Sequence, residues 1–224
     1  MPSKRDARDA VAAPSLPEEL TRAASFDLSG GQEIVETLVS GMAVTGRDAP
    51  GLSLLWSRLE NVTLQRCDLR GLEAQDVVFE GCDLSGSDLS ESRLRRVEFR
   101  SCRLSGAALS TSSLTDVRWT DCKLDRVNLR MAEGDCVWVL DSNMHEADLY
   151  AATFRSSRFL RSDLSACEFS QADLHGARLQ GSRLDGAKGA AGLQGVEVDP
   201  DQALVLAQLL LEVHEISVRD DPER

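Results

Sequence analysis

The cysteines and histidines are the residues of this chain best suited to metal or redox chemistry. There are six cysteines and three histidines among 224 residues. Cys82, Cys102 and Cys122 recur at intervals of 20 residues, so a 20-residue structural repeat would place three thiols in one column. Such a column raises the hypothesis of a soft-metal or redox site. The chain has no CxxC pair and no compact disulfide spacing, so reduced thiols are expected.

No other constellation points to catalysis. His145, His175 and His214 lie far apart in the sequence and are expected to be solvated. The sequence contains no GxxxxGK(S/T), GxGxxG, GxSxG or HExxH string, which are the motifs of phosphate loops, nucleophile elbows and zinc helices. Carboxylates recur because turns favour them. The sequence therefore predicts a protein that is not an enzyme, with no catalytic, cofactor-binding or metal site.

Charge limits the kinds of partner. The net charge of −12 argues against direct binding of nucleic acid, which needs a concentrated basic surface. Between residues 54 and 188, however, 18 basic and 21 acidic residues leave a net charge of only −3, so most of the acidity lies in the two ends. No apolar run approaches the roughly 18 residues of a membrane span, and no signal segment is recognisable. A cytoplasmic location without membrane contact is expected.

A five-residue period dominates the sequence. An apolar residue, here termed the anchor, occupies every fifth position from Leu54 to Leu184, over 27 consecutive positions, and only Ala74 and Gly134 lack a large apolar group. A small or β-branched residue usually stands two positions before the anchor. On an extended backbone these two side chains point the same way, so each unit sends two groups inward and must then bend. A helix of 3.6 residues per turn would spread this stripe over all its faces.

The repeat units resemble a known family. Residues 82–86 (Cys-Asp-Leu-Ser-Gly) and 172–176 (Ala-Asp-Leu-His-Gly) resemble the consensus A(D/N)LXX of pentapeptide-repeat proteins, and the resemblance covers about 131 of 224 residues. It implies an all-β solenoid, a right-handed quadrilateral parallel β-helix of about 6–7 coils with a C-terminal α-helix. The sequence supports a 20-residue coil through its large core residues. Those that stand 20 apart are Phe79, Phe99, Trp119, Val139 and Phe159.

Within this register the thiols have a simpler explanation than metal binding. Five of the six cysteines fall at the small inward position, where Cys packs as a small hydrophobe. Cys136 alone falls at an outward position. We therefore expect it to be the reactive cysteine.

The ends depart from the repeat. We expect a disordered leader over residues 1–24, an irregular N-terminal cap or first coil over 25–53, the β-helix over 54–188, a linker with a C-terminal helix over 189–218, and a tail over 219–224. Asp199 as N-cap, Pro200 in the first turn and Gln202 at the third position form a strong helix start. The helix is predicted to end near His214.

The apolar surface of this helix is wider than one contact needs. Part of it should close the open end of the β-helix, where a bare edge would otherwise pair with another chain. Dimers through the C-terminal end occur in the family, so the resemblance implies a homodimer, the alternative being a monomer whose helix lies flat on the last coil. The candidate dimer residues are Leu204, Leu206, Leu210, Leu211 and Val213.

Apolar residues at outward positions form a candidate interface. They are Met131, Trp138, Leu140, Tyr150 and Leu160. Trp138, Leu140 and Leu160 should be neighbours on one side of the rod, and an outward Trp with aliphatic neighbours is typical of an interface anchor. The alternative is a bulge around Gly134 that turns Trp138 into the core.

Two charged surfaces complete the candidates. Arg93, Arg95, Arg96, Arg100 and Arg103 form a basic patch that could hold an acidic partner, or a solvated face shared with neighbouring glutamates. The acidic stripe consists of Asp68, Asp88, Asn128, Asp148 and Glu168.

Two functions follow from these features. The first is a non-enzymatic scaffold that presents a rigid rod to a protein partner. The second comes from the resemblance, since some family members mimic DNA, bind DNA gyrase (a type II topoisomerase) and confer resistance to quinolones or topoisomerase poisons. A mimic of DNA should have continuous acidic faces, and the near-neutral rod with its basic patch departs from that pattern.

Overall fold

The five-residue period becomes a four-sided coil. The structure, a computed structural model, describes residues 10–26, 28–213 and 215–216, and only the backbone of Glu212 and Val213. The chain winds into a parallel β-solenoid of about seven turns followed by one α-helix, as the sequence predicts. Residues 20 apart stack in register, so a coil consists of four five-residue sides.

The strands lie along three of the four sides. Their bounds are β1 Thr21–Arg22, β2 Glu33–Val35, β3 Thr37–Ser40, β4 Ala43–Thr45, β5 Ser53–Leu55, β6 Arg58–Glu60, β7 Thr63–Gln65, β8 Glu73–Glu80, β9 Arg93–Arg100, β10 Ser113–Thr120, β11 Glu133–Leu140 and β12 Arg158–Leu160. All pairs are parallel. Ten strands form one sheet and β4 pairs with β7 in a second. Elsewhere the coils stack through single bridges, such as Asp68 with Asp88.

The corners bend through single residues in the left-handed region. Two residues after each anchor the backbone φ is positive, as at Asp76 (φ 55), Cys136 (φ 56) and Gly106 (φ 64). Such a residue reverses the local twist and turns the chain by one corner without breaking the stack. Gly, Asp and Asn tolerate this conformation best, which explains their frequency at outward positions.

Stacked anchors fill the interior. Phe79 and Phe99 have ring centroids 4.7 Å apart, and Trp119 continues the stack at 5.7 Å from Phe99. The missing anchor at Gly134 leaves space that Phe154 of the next coil occupies, since a Cβ on Gly134 would lie 2.2 Å from Phe154 Cδ1. The register of β11 continues unbroken through Gly134, which pairs with Leu114.

Side chains at the small inward position also form hydrogen bonds with backbone groups at the corner. The Ser182 hydroxyl donates to the Phe159 carbonyl at 2.8 Å and accepts the Ser162 N–H at 2.9 Å. Cysteines make the donor part of this pattern, as when Cys102 Sγ donates to the Phe79 carbonyl at 3.4 Å. Serine and cysteine can replace alanine or valine here because each supplies a hydrogen-bond donor that the corner carbonyl can use.

The described part of the N-terminal segment, within the region predicted to be a disordered leader, contacts the solenoid. Residues 10–20, here called the strap, lie against the solenoid, and Thr21–Arg22 pair in parallel with Thr37 and Leu38 of β3. The strap shows no apolar period because it is held largely through backbone N–H groups. Residues 1–9 lie outside the described part of the chain.

Residues 33–53, part of the segment 25–53 predicted to be an irregular cap or first coil, follow the 20-residue register. Glu33 pairs with Ser53 and Ala43 with Thr63. Ile34, Val39, Val44 and Ala49 are buried at anchor positions. Val39, Val44 and Ala49 are smaller than leucine, and this small size, rather than a loss of register, makes the pattern weak in the sequence.

A hydrogen-bonded junction ends the rod. Two 3-10 turns, Ala190–Leu193 and Pro200–Gln202, lead into α1, which comprises Ala203–Val213. The predicted capping box is present between Asp199 and Gln202. His214 lies outside the described residues. No helix in the described ranges is long and apolar enough to cross a membrane.

Candidate protein-interaction surface

The ladder face, which consists of Arg118, Trp138, Arg158, Leu140 and Leu160, is the most distinctive outward surface of the rod. Strands β10, β11 and β12 place Arg118, Trp138 and Arg158 in register on consecutive coils. The guanidinium carbon of Arg118 lies 4.8 Å from the indole centroid and that of Arg158 lies 4.4 Å from it. Both distances fall within the range of cation–π attraction. The indole is therefore held between two cations.

Trp138 points outward and is half-buried between these arginines. Val137 and Val139, on either side of it in β11, fill the inward positions. The in-register pairing of β11 with β10 rules out the bulge alternative. Leu140 and Leu160 pair on adjacent coils beside the ladder and are half-buried, so the face combines a fixed aromatic ring with an aliphatic edge.

The remaining candidate interface residues lie elsewhere. Met131 is exposed at a different corner, and its N–H donates to the Tyr150 carbonyl at 2.9 Å. The Tyr150 ring lies under the Arg130 guanidinium at 4.2 Å. With four sides per coil, residues 147–150 occupy the side opposite residues 137–140. The five candidates therefore form two separate surfaces.

Most of the basic patch is neutralised by neighbours on the rod. Arg93 pairs with Glu73 at 3.0 Å, and Arg96 binds Asp76 through two hydrogen bonds of 2.6 and 2.5 Å. Arg100 pairs with Glu98.

Arg95 and Arg103, the other two arginines of the patch, are exposed. Neither makes an ion pair within 4.0 Å to any residue that the structure describes. The patch is accordingly a mixed-charge face rather than a cationic site.

The acidic stripe has a structural role. Asp88 accepts the N–H of the second following residue, Ser90, at 2.9 Å, and Asp148 accepts that of Tyr150 at the same distance. Such side-chain to backbone bonds stabilise the turn at each corner. The same bond is made by Asp68, Asn128 and Glu168. In the stacked column Ala108 and Asn128 interrupt the negative charge, and Lys188 follows Glu168.

The exposed surface of the C-terminal helix is apolar. Leu209 is buried against the rod, and Val205 and Leu206 pack beside it. Leu204 and Leu210 are 71% and 49% exposed. Of the other candidate dimer residues, Leu211 is half-buried, and the side chain of Val213 lies outside the described atoms.

The thiol column, which consists of Cys82, Cys102 and Cys122, is part of the packed core. Cys82, Cys102 and Cys122 are buried and donate to carbonyls at 3.3, 3.4 and 3.5 Å. Burial raises the pKa of Cys167 to about 12. Cys136 is half-buried at its corner. Among the residues described, no group of three His, Cys, Asp or Glu side chains could hold a metal ion.

Sequence reasoning missed the two arginines that flank Trp138. Arg118 and Arg158 stand 20 residues before and after it, so the coil interval was the signal that could have found them. The strap over Asp76 and Asp116 was also missed.

Comparison with known proteins agrees with this architecture. A family model described as a pentapeptide repeat region matches residues 72–138, and one described as pentapeptide repeats in eight copies matches residues 142–181. No curated protein matches the sequence.

Several solved structures are similar at low identity. HetL, a pentapeptide repeat protein involved in heterocyst differentiation regulation in the cyanobacterium Nostoc sp. strain PCC 7120, is 22% identical over 75% of this chain and 87% of its own, with a TM-score of 0.44. Full-length QnrB1, a plasmid-mediated fluoroquinolone resistance protein, is 23% identical over 81% of this chain and 91% of its own, with a TM-score of 0.45. A pentapeptide repeat protein of the Arabidopsis thaliana thylakoid lumen is 20% identical over 57% of this chain and 72% of its own, with a TM-score of 0.24.

Proposed function

Because the chain belongs to the pentapeptide-repeat family, we propose that it acts as a non-enzymatic scaffold that binds a protein partner through the ladder face. The observation that carries the proposal is the clamping of Trp138 between Arg118 and Arg158 on the outer surface. Tryptophan and arginine are the residues most enriched among binding hot spots.

The clamp favours binding because the indole is already fixed. A free surface tryptophan loses rotamer freedom when a partner covers it, whereas a ring held between two guanidinium groups has lost most of that freedom beforehand. Arg118 is also oriented by Glu98, whose Oε1 lies 3.8 Å from its guanidinium nitrogen. Leu140 and Leu160 extend the apolar contact along the same side. A partner that presents an apolar patch would fit this face.

We also propose that the protein is located in the cytoplasm. Five cysteines, Cys67, Cys82, Cys102, Cys122 and Cys167, are buried as free thiols, which fits a reducing compartment. We propose that a homodimer forms through Leu204 and Leu210 of α1, which remain exposed while Leu209 faces the rod.

DNA mimicry with binding to DNA gyrase is the weaker alternative. It requires a continuous row of negative charge. The stripe from Asp68 to Glu168 is interrupted at Ala108 and Asn128 and its carboxylates are used in turn bonds. A DNA supercoiling assay with gyrase, with and without a fluoroquinolone, separates the two functions. We expect no effect of micromolar protein on supercoiling or on drug inhibition.

Affinity purification from native cell extract tests the scaffold proposal. The double variant Trp138→Ala/Leu140→Ala removes the ring and its aliphatic neighbour, and Tyr150→Ala on the opposite side is the matched control. Loss of a hot spot weakens binding by about 2 kcal/mol, or roughly 30-fold. We expect a partner that wild type and control recover equally and the double variant does not. Equal recovery by all three folded proteins would exclude the ladder face.

A further inference from the structure

The strap runs along the solenoid axis at one corner of the rod. The backbone N–H of Ala12 donates to Asp116 Oδ1 at 3.0 Å, and that of Ser15 donates to Asp76 Oδ1 at 2.9 Å. Asp76 and Asp116 occupy the same corner two coils apart. Coils spaced about 4.8 Å apart place these carboxylates about 10 Å from each other, which is the span of three extended residues. The strap therefore crosses the coils at right angles to the strands.

Arg96 organises the two acceptors. It lies on the coil between them, binds both oxygens of Asp76, and its charge also interacts with Asp116. The Asp76 side chain is only 1% exposed. Burial alone would raise the pKa of Asp76, but hydrogen bonds from Arg96 and from the Ser15 N–H reverse this effect and leave the pKa below its ordinary value. Asp76 is thus ionised and oriented at neutral pH.

Two buried valines, Val78 and Val11, accompany the carboxylates of Asp76 and Asp116. Val78 stands at an outward position of the repeat, two residues after Asp76, yet it is only 4% exposed. Val11 of the strap is 6% exposed. Neither valine belongs to the interior core. The strap thus buries an apolar side chain of its own outside the core and supplies two N–H donors three residues apart.

We propose that the corner formed by Asp76, Arg96, Asp116 and Val78 is a binding site for an extended peptide with small apolar and proline residues, and that the strap is its intramolecular ligand. Recognition depends on main-chain N–H groups at positions i and i+3, which any extended peptide can offer. The strap sequence Val11-Ala12-Ala13-Pro14-Ser15 shows which side chains fit. A segment of this kind from a partner protein competes with the strap. The site adjoins the ladder face, since Val78, Glu98 and Arg118 stack in one outward column, but the two surfaces share no residue. The two proposals are tested with different substitutions, so either can fail without the other.

Proline substitution in the full-length chain tests the site, because proline has no N–H to donate and suits an extended segment. The variant Ala12→Pro/Ser15→Pro removes both donors, and Ala13→Pro is the matched control, since the Ala13 N–H makes no hydrogen bond within the described chain. The probe is a fluorescein-labelled peptide of residues 10–20, followed by fluorescence anisotropy. We expect the double variant to bind the peptide at least tenfold more tightly than wild type and Ala13→Pro do.

A second substitution in the opened variant checks where the peptide binds. Adding Asp116→Asn, which keeps the shape of the side chain but removes its charge, should weaken peptide binding at least fivefold. Circular dichroism melting confirms that each protein is folded. Peptide binding that is equal in wild type and the double-proline variant, or that is unaffected by Asp116→Asn, would overturn the proposal.

Discussion

The side-chain amide of Gln202 donates to the carbonyl oxygen of Leu179 at 2.8 Å. This bond spans 23 residues, the same offset as the bond from the Ser182 hydroxyl to the Phe159 carbonyl. Gln202 also donates to the Ser182 carbonyl at 2.5 Å, while its amide oxygen accepts the Asp199 N–H at 2.7 Å. One residue therefore closes the last coil, in place of the next inward serine, and caps the start of α1.

Replacement of Gln202 by alanine should release this end of the rod. Two carbonyls lose their buried donor and the helix loses its capping box, for a destabilisation of about 2 kcal/mol. Because each coil contacts only its neighbours, the effect should be local. Hydrogen exchange measured by mass spectrometry should show faster exchange over residues 177–188 and unchanged exchange over residues 94–104. The control Gln208→Ala, on the exposed side of α1, should change neither region.

The replacement Gly134→Ala should destabilise the rod through a steric clash. The added Cβ would lie 2.2 Å from Phe154 Cδ1 and 2.8 Å from Val137 Cγ2. Overpacking of this kind costs about 1–3 kcal/mol, measurable by urea denaturation. The smaller side chain in Gly134→Ala/Phe154→Leu should relieve the clash, so the two substitutions should couple favourably. Strictly additive effects would show that Phe154 does not fill the space over Gly134.

Of the six cysteines, we expect five to be unreactive in the native protein and Cys136 to be reactive. Burial raises the pKa of Cys167 to about 12, whereas hydrogen bonds within the thiol column raise the pKa of Cys102 and lower those of Cys82 and Cys122. The five inward thiols are all buried, so a reagent in solution does not reach them. Since the thiolate is the reactive species, the native protein should react rapidly with iodoacetamide at Cys136 alone, and all six cysteines should react in denaturant. Peptide mass spectrometry locates the label. In Cys136→Ser we expect no rapid labelling, and labelling of the Cys82–Cys122 column in native protein would contradict the burial argument.

The sequence predicted the interior far better than the outer surface. Inward positions repeat a restricted set of side chains, so the columns of Phe79, Phe99 and Trp119 follow from spacing alone. Outward positions vary freely, and their contacts depend on pairs across coils. The ion pair of Arg96 with Asp76 joins residues 20 apart and could have been read from the coil interval. The strap could not, because backbone N–H groups bind Asp76 and Asp116 without a side-chain pattern.

The stability of the fold should decrease at acid pH because the carboxylates at the corners become protonated. Opposing the effect of burial, hydrogen bonds from Arg96 hold the pKa of Asp76 below its ordinary value, and the hydrogen bond from Arg161 does so for Asp141. A carboxyl whose pKa is lower in the folded than in the unfolded state stabilises the fold above its unfolded pKa of about 3.9 and loses that contribution as the pH falls through the folded pKa. The melting temperature should therefore vary little from pH 8 to about pH 5 and decrease below about pH 4.

The variant Asp76→Asn isolates the contribution of the buried carboxylate. It keeps the side-chain shape but removes the charge that binds Arg96, so it should lower stability by about 2 kcal/mol at pH 7. The difference from wild type should shrink as the pH falls below about 4, because the unfolded chain then binds a proton at Asp76 while the folded protein keeps the carboxylate ionised until the pH reaches its lower pKa. Melting curves at pH 7, 5, 4 and 3 measure both proteins. If the difference in stability between Asp76→Asn and wild type stays constant across this range, the shape of the Asp76 side chain, and not its charge, holds Arg96 and Ser15 in place.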